Sequence, residues 1–229
     1  VERLLTIPID NPHLWSVEDP YLYDLDIAIL KDGVQTDAVS SYCGMRKIEV
    51  KKVGETPRIF LNGKQIFQMG PLDQGWWPDG LYTAPSDEAL LFDIKAMKAL
   101  EFNMIRKHIK IEPARWYMHC DREGILVWQD LPSPNLPSGY EDYAKKNFED
   151  ESKRIITAFR NHPSIIQWVV FNEGWGQFDT ERMTQIVIGE VGQSLVCCAS
   201  GWVDAPIGDI KDSHSYPNPS CPLDETRAG

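Results

Sequence analysis

From Arg58 onward the sequence alternates short, almost wholly apolar runs with longer amphipathic stretches, a pattern that confines the chain to a parallel α/β architecture. The apolar runs read as strands buried on both faces: Ile66 to Gly70, Asn103 to His108, Ile125 to Gln129, Ile165 to Phe171, a last one near Ile210 to His214, and another around Val196 to Ser200. Helix ends are legible between them. Ser86 precedes Asp87 and Glu88, which predicts a capped helix running to about Leu100. Pro113 suits the first position of a helix that reaches about Arg122, with Gly124 breaking the chain after it. A helix from roughly Phe148 to Arg160 is expected to stop at Asn161-His162-Pro163, and Asp179 or Thr180 to cap another whose apolar positions Met183, Ile186, Val187 and Val191 keep helical spacing.

Residues 1 to about 50 behave differently. Polar and apolar residues alternate through Tyr21 to Ile29, and Lys31-Asp32-Gly33 turns the chain into a second extended run, so this segment is β-rich but too short to close a sandwich alone. The expected division is residues 1–52 for this segment and 53–229 for the α/β part. Two folds compete for the latter: a (β/α)8 barrel, of which about five or six strands would be present because only about 170 residues remain where roughly 250 are typical, and an open flavodoxin-like sheet of five strands. The proline-rich stretch Asp130 to Tyr140 follows a strand's carboxyl end, as either a binding loop or a connector.

Composition narrows the function classes. A formal charge of −11 with no clustered Lys/Arg stripe repels a phosphate backbone, so no nucleic-acid partner is expected. No apolar run reaches the about 18 to 20 residues of a membrane span. The cysteines Cys43, Cys120, Cys197, Cys198 and Cys221 show no metal or redox spacing and read mainly as free thiols, and the histidines form no metal motif, so neither a metal nor any other cofactor is expected. The chain starts at Val1 without a leader sequence, which leaves the compartment unread and is compatible with a periplasmic or secreted protein.

The sharpest chemical signal is Ile165 to Trp175, where a buried strand ends in Asn172-Glu173-Gly174. In a parallel α/β fold the carboxyl ends of strands bind ligands, and a carboxyl beside Trp168, Phe171 and Trp175 would be partly desolvated, which favours its protonated form and suits a general acid. The bland alternative is a turn or helix-capping carboxylate. Other strand ends deliver Asp73 with Trp76 and Trp77, Arg106 and His108, Trp128 with Asp130, and Asp212, His214 and Tyr216 to the same rim. Each could be a core residue. Together, hydrogen-bonding groups interleaved with aromatic rings suit a sugar.

Several segments, in order, resemble glycoside hydrolase family 2, which contains β-galactosidases, β-glucuronidases and β-mannosidases. They are Trp15 to Tyr23 and Gly44 to Val50, similar to the approach and exit of the last part of that family's immunoglobulin-like domain; Phe60 to Lys64, Phe102 to Arg106 and Asp121 to Trp128, similar to the opening units of its TIM barrel; and Asn161 to Ile165 with Asn172-Glu173, similar to its acid/base signature. The resemblance implies a partial TIM barrel preceded by an immunoglobulin-like segment. It implies a retaining, β-galactosidase-like hydrolase of terminal β-glycosides with Glu173 as general acid/base. Asn172 would contact the sugar's 2-hydroxyl and Arg106 orient the nucleophile, with Asp73, His108, Trp128, Trp175, His214 and Tyr216 around the substrate. The family keeps its nucleophile on the seventh strand, which this sequence is not expected to reach; Glu190 falls in a predicted helix and Glu225 in a tail, so the chain alone is expected to be inactive. These residues do not separate galactoside from glucuronide, mannoside or arabinoside. The competing readings are a non-catalytic carbohydrate-binding module and a structural module that forms homo-oligomers through an unpaired sheet edge.

Overall fold

The computed structural model describes residues 5–133, 141–220 and 227–228. The first described elements are antiparallel. β1 (Tyr23–Lys31) and β2 (Val34–Cys43) form a hairpin around Asp32 and Gly33, both with positive φ, as a two-residue turn between twisted strands requires. Ile27, Ile29, Val34 and Val39 stay exposed on it, so this hairpin leaves an apolar face uncovered. β3 (Ile48–Val53), β4 (Thr56–Leu61) and the short β5 (Lys64–Gln65) make a second antiparallel sheet. The β3–β4 hairpin straddles residues 52 and 53, where the sequence suggested a division.

The remainder is a sequence of βα units. β6 (Leu72–Asp73), α1 (Asp87–Ala99), β7 (Met104–Lys107), α2 (Ala114–Glu123), β8 (Leu126–Asp130), α3 (Asp142–Phe159), β9 (Ile165–Asn172), α4 (Thr180–Glu190) and β10 (Leu195–Ser200) follow in turn. The five strands are parallel and lie in the order β10-β9-β8-β7-β6, each beside its neighbour in sequence. That order settles the competition between the two folds. A flavodoxin-like sheet reverses its strand order at a switch point and carries helices on both faces, whereas this one never reverses. The buried residues of all four helices, among them Leu90, Trp116, Phe148, Ile156 and Met183, join a single core against one face. The sheet is the first five strands of a TIM barrel preceded by a β-rich segment.

The opposite face is the barrel interior. At the amino ends of the strands Met104, Leu126, Ile166 and Leu195 pack with Trp15, Ile48 and Leu61 from the preceding segment, which stops the bottom of the barrel with apolar side chains. Asp121 fastens that arrangement. It is fully buried, and its carboxylate accepts from the Tyr42 hydroxyl of β2 (2.7 Å) and the Ser164 amide (2.9 Å) and lies 2.6 Å from His162 Nδ1, while its backbone carbonyl accepts from the Trp15 indole (2.7 Å). Burial, and then the Asp121 charge, raise the Tyr42 phenol well above its ordinary value, so Tyr42 stays a donor.

Several boundaries differ from the sequence expectation, each for a local reason. Residues 66–70 are not a strand. They run beside β7 through the Asn103 side chain, which accepts from Met69 N and donates to the Phe67 carbonyl, and at Gly70 an added Cβ would lie 1.7 Å from the Met104 carbonyl oxygen. The first barrel strand is therefore the two-residue β6. Residues 210–214 form no strand either: Ile210 makes only isolated bridges, to Cys197 and to Ala228, after which Asp212 and His214 turn their side chains back to the end of β10. Pro113 is extended (ψ 149°) and flanks α2 instead of starting it, and α3 begins at Asp142, a turn and a half before its apolar pattern at Phe148. Asp179 precedes α4 without a side-chain cap; Gln177 bonds the Thr180 hydroxyl instead. Cys43, Cys120, Cys197 and Cys198 are free thiols. Cys221, Glu225 and most of the proline-rich stretch lie outside the described residues.

Asp121→Ala should lower the unfolding free energy by about 3 kcal/mol, because it strands several buried donors at once. Urea denaturation measures this. A loss below about 1 kcal/mol would mean that Asp121 does not fasten the β-rich segment to the barrel.

Candidate active site at the strand ends

Arg106 occupies the carboxyl end of β7 with only 6% of its surface exposed. Its guanidinium is engaged mainly through Nε and Nη2. Nε and Nη2 donate to the two carboxylate oxygens of Asp130 at the end of β8 (3.1 and 2.9 Å), Nη2 also donates to Asn172 Oδ1 at the end of β9 (2.9 Å), and Nη1 lies 3.2 Å from His214 Nε2 and 3.9 Å from Asp212 Oδ2. The two-pronged geometry is one that an arginine fork matches and a lysine does not. His108 Nδ1 lies 2.9 Å from Asp130 Oδ2.

Glu173 follows directly on β9 with φ +52°, a conformation that disfavours a side-chain-bearing residue and that here swings the carboxylate over the strand ends. Its backbone amide donates to the Ser200 carbonyl of β10 (2.8 Å). Its Oε1 lies 2.7 Å from His214 Nδ1 and its Oε2 accepts from Asn172 Nδ2 at 3.4 Å. The sequence suggested an apolar sleeve around this carboxyl. The structure corrects that: Trp168 and Phe171 pack into the core between sheet and helices, and Glu173 is met by His214 and Asn172.

His214 is held from its other nitrogen, with Nε2 2.8 Å from Ser200 Oγ and 3.7 Å from Asp212 Oδ2, and Ser200 donates its hydroxyl proton to Asp212. The Asp212 carboxylate, assisted by the Glu173 contact, raises the imidazole above its usual range against the opposing effect of burial. Burial is the largest single influence on Asp212 and pushes it upward, but His214, Ser200 and Arg106 together hold it below the ordinary carboxylate value.

Thus Arg106, His108, Asn172, Glu173 and His214 converge. Asp73 and Trp128 do not join them. Asp73 reaches Lys107 Nζ (2.6 Å) on the helix side of the sheet, and Trp128 donates its indole to Gln68 and packs on the barrel-bottom core. Trp175 and Tyr216 are exposed at the rim, Tyr216 with its ring 6.4 Å from both His214 and Trp202. Asp130, Asp212, Ser200 and Gly201 complete the cluster beyond the residues chosen from sequence; Asp130, Asp212 and Ser200 already stood at expected strand ends, while nothing in the sequence marked Gly201. Among the described residues no three His, Cys, Asp or Glu side chains converge as a metal-binding group. A cleft of about 400 Å³ lined by Gly44, Arg46, His162 and Ser194 lies at the amino ends of β9 and β10, and Arg46 is already bonded there to the Pro163 and Ile165 carbonyls and Ser194.

Residues 1–46 match the sequence family Glycosyl hydrolases family 2, and residues 55–196, more than half of the chain, match Glycosyl hydrolases family 2, TIM barrel domain. The chain is 33% identical over 174 residues to a putative beta-glucuronidase of Formosa agariphila, spanning 76% of this chain and 20% of that protein. It is 34% identical over 181 residues to a beta-galactosidase of Oenococcus oeni, spanning 74% and 17%. The chain thus spans about a fifth of the length of the curated relatives it matches. Among solved structures, a β-glucuronidase from Ruminococcus gnavus in complex with a C6-substituted uronic isofagomine superposes with a TM-score of 0.71 at 21% identity, over 82% of this chain and 33% of that one. A glycosyl hydrolase family 2 member from Bacteroides cellulosilyticus superposes with a TM-score of 0.66 at 26% identity, over 82% and 25%.

The Asp212–His214 pair should give stability a specific pH dependence. A raised histidine contributes fully below its unfolded value near 6.5 and loses its contribution as pH rises through its folded value; a lowered aspartate contributes fully above its unfolded value near 3.8 and loses its contribution as pH falls through its folded value. The stability difference between the native chain and Asp212→Asn, from urea midpoints across pH, should therefore be largest between about pH 4 and 6.5 and shrink on the alkaline side. A difference independent of pH would contradict the pairing.

Proposed function

The chain belongs to glycosyl hydrolases family 2, and from that membership and the strand-end geometry we propose that it carries the acid/base side of the active site of a retaining hydrolase of terminal β-glycosides. The observation that supports this most is the position of Glu173: at the carboxyl end of the fourth parallel strand, beside Asn172, above a buried arginine, on the face where barrel enzymes bind substrate.

In this reading Glu173 Oε2 delivers a proton to the departing glycosidic oxygen, then takes one from the water that releases the sugar from a covalent intermediate. Asn172 presents its amide N–H₂ to the sugar, because Arg106 already occupies its oxygen and thereby fixes which way the amide faces. Arg106 with Asp130 and His108 forms the floor of the sugar pocket, and Trp175 and Tyr216 flank its mouth. Double displacement needs a second carboxylate about 5 to 5.5 Å from the first. Asp130 and Asp212 are committed to Arg106 and to the histidines, so we assign neither of them the nucleophile's role. We place β-galactosides first among the substrates and β-glucuronides next, following the relatives.

The test is hydrolysis of β-glycosides by the 229-residue chain and by a polypeptide that carries it within a complete eight-stranded barrel. In the active form, Glu173→Gln should cost about 10² to 10⁴ in kcat/KM on methyl or disaccharide substrates, which need a proton on the leaving oxygen, and far less in kcat/KM on dinitrophenyl glycosides, which do not. Equal losses on both substrates, or none, would remove Glu173 from the acid/base role. Sugar binding without turnover in every form would favour a non-catalytic binding module.

A further inference from the structure

The contact between Glu173 and His214 is built into the backbone. Gly201, directly after β10, sits at φ +97°, and a Cβ there would lie 2.8 Å from His214 Nδ1 and 2.9 Å from Glu173 Cγ. Any side chain at this position would stand between the two groups. His214 is also restrained from behind, since Ser200 and Asp212 gather at its Nε2, and the Ser200 carbonyl accepts the Glu173 backbone amide. One strand end therefore fixes the backbone of Glu173 and, through His214, its side chain.

We propose that His214 is a positioning residue for Glu173: backed by Asp212 and Ser200 and admitted by the missing side chain of Gly201, its Nδ1–H holds Oε1 and leaves Oε2 as the oxygen that exchanges protons. This rests on the reading of Glu173 as the acid/base. The hydrogen bond serves both halves of such a cycle. When Glu173 is protonated on Oε2, Oε1 is a carbonyl oxygen that still accepts from Nδ1–H; once the proton has gone to the leaving oxygen, Oε1 is a carboxylate oxygen and accepts more strongly. The proton that water later returns goes to Oε2, and Nδ1 keeps its own proton throughout. A carboxyl group free to rotate would offer either oxygen in changing directions, and a misplacement of about 1 Å at a reacting group can cost about 10²-fold in rate. The charged groups that face His214 are Glu173 and Asp212, which favour its protonated form, and Arg106, which opposes it.

The test follows the His214 imidazole by ¹⁵N NMR through a pH titration of the 229-residue chain and its Glu173→Gln, Asp212→Asn and Gly201→Ala variants. The midpoint of the native chain should lie above the ordinary histidine value, fall in Glu173→Gln, and fall further in Asp212→Asn. Gly201→Ala, which leaves every titrating group in place and only separates the pair, should move it to the Glu173→Gln position. A His214 midpoint that is the same in the native chain, Glu173→Gln and Gly201→Ala would overturn the proposal. This measurement needs no turnover, so it can fail while the leaving-group dependence of Glu173→Gln stands, and the leaving-group dependence can fail while it stands.

Discussion

The guanidinium of Arg106 is a cation held out of water at the mouth of a half-apolar barrel, and the strand ends are organised around satisfying it. Burying a charge costs several kcal/mol unless its hydrogen-bonding capacity is met in good geometry. Asp130 from β8 supplies a bidentate partner, Asn172 from β9 supplies an amide oxygen, and His214 and Asp212 close the far side. A single side chain thus sets the relative positions of groups from β7, β8, β9 and the segment after β10. The orientation of the Asn172 amide, and with it the surroundings of Glu173, follows from that one residue.

The barrel interior is accordingly divided along its axis. Its lower half is closed by Trp15, Ile48 and Leu61 against Met104, Leu126 and Ile166, so the hydrophobic effect holds the β-rich segment to the amino ends of the strands while Asp121 provides the directional bonds. Its upper half is polar, and close approaches at both ends require glycine. Gly70 lets the chain lie against the Met104 carbonyl, and Gly201 makes room for the Glu173–His214 contact. The apolar end and the polar end are different ends of the same strands, the polar one being the end at which barrel folds generally bind ligands.

Strands buried on both faces were legible in the sequence as apolar runs, and β7, β8, β9 and β10 lie where those runs fall, as does the capped start of α1 at Ser86. β6 was not legible, because two residues carry no periodicity and its approach is held by the Asn103 side chain. The residues at 210–214 look like a strand in sequence but act through side chains that fold back onto β10. Parity explains why Asp73 does not join the cluster. Arg106 and Lys107 are adjacent and so point to opposite faces, and Asp73 went with Lys107 to the helix side. The polar surroundings of Glu173 could not be read locally either, since His214 lies 41 residues away in sequence.

The most direct test of the central claim, that the carboxyl ends of these strands form the sugar-binding and acid/base centre, is a crystal structure of the chain within a complete barrel bound to a β-configured imino sugar. The account predicts the ring above Arg106, a hydroxyl on the Asn172 amide nitrogen, and Glu173 Oε2 facing the leaving-group side with Oε1 still on His214. A ligand seated instead in the cleft between Arg46 and His162, or a Glu173 side chain turned away from an occupied strand-end pocket, would contradict it.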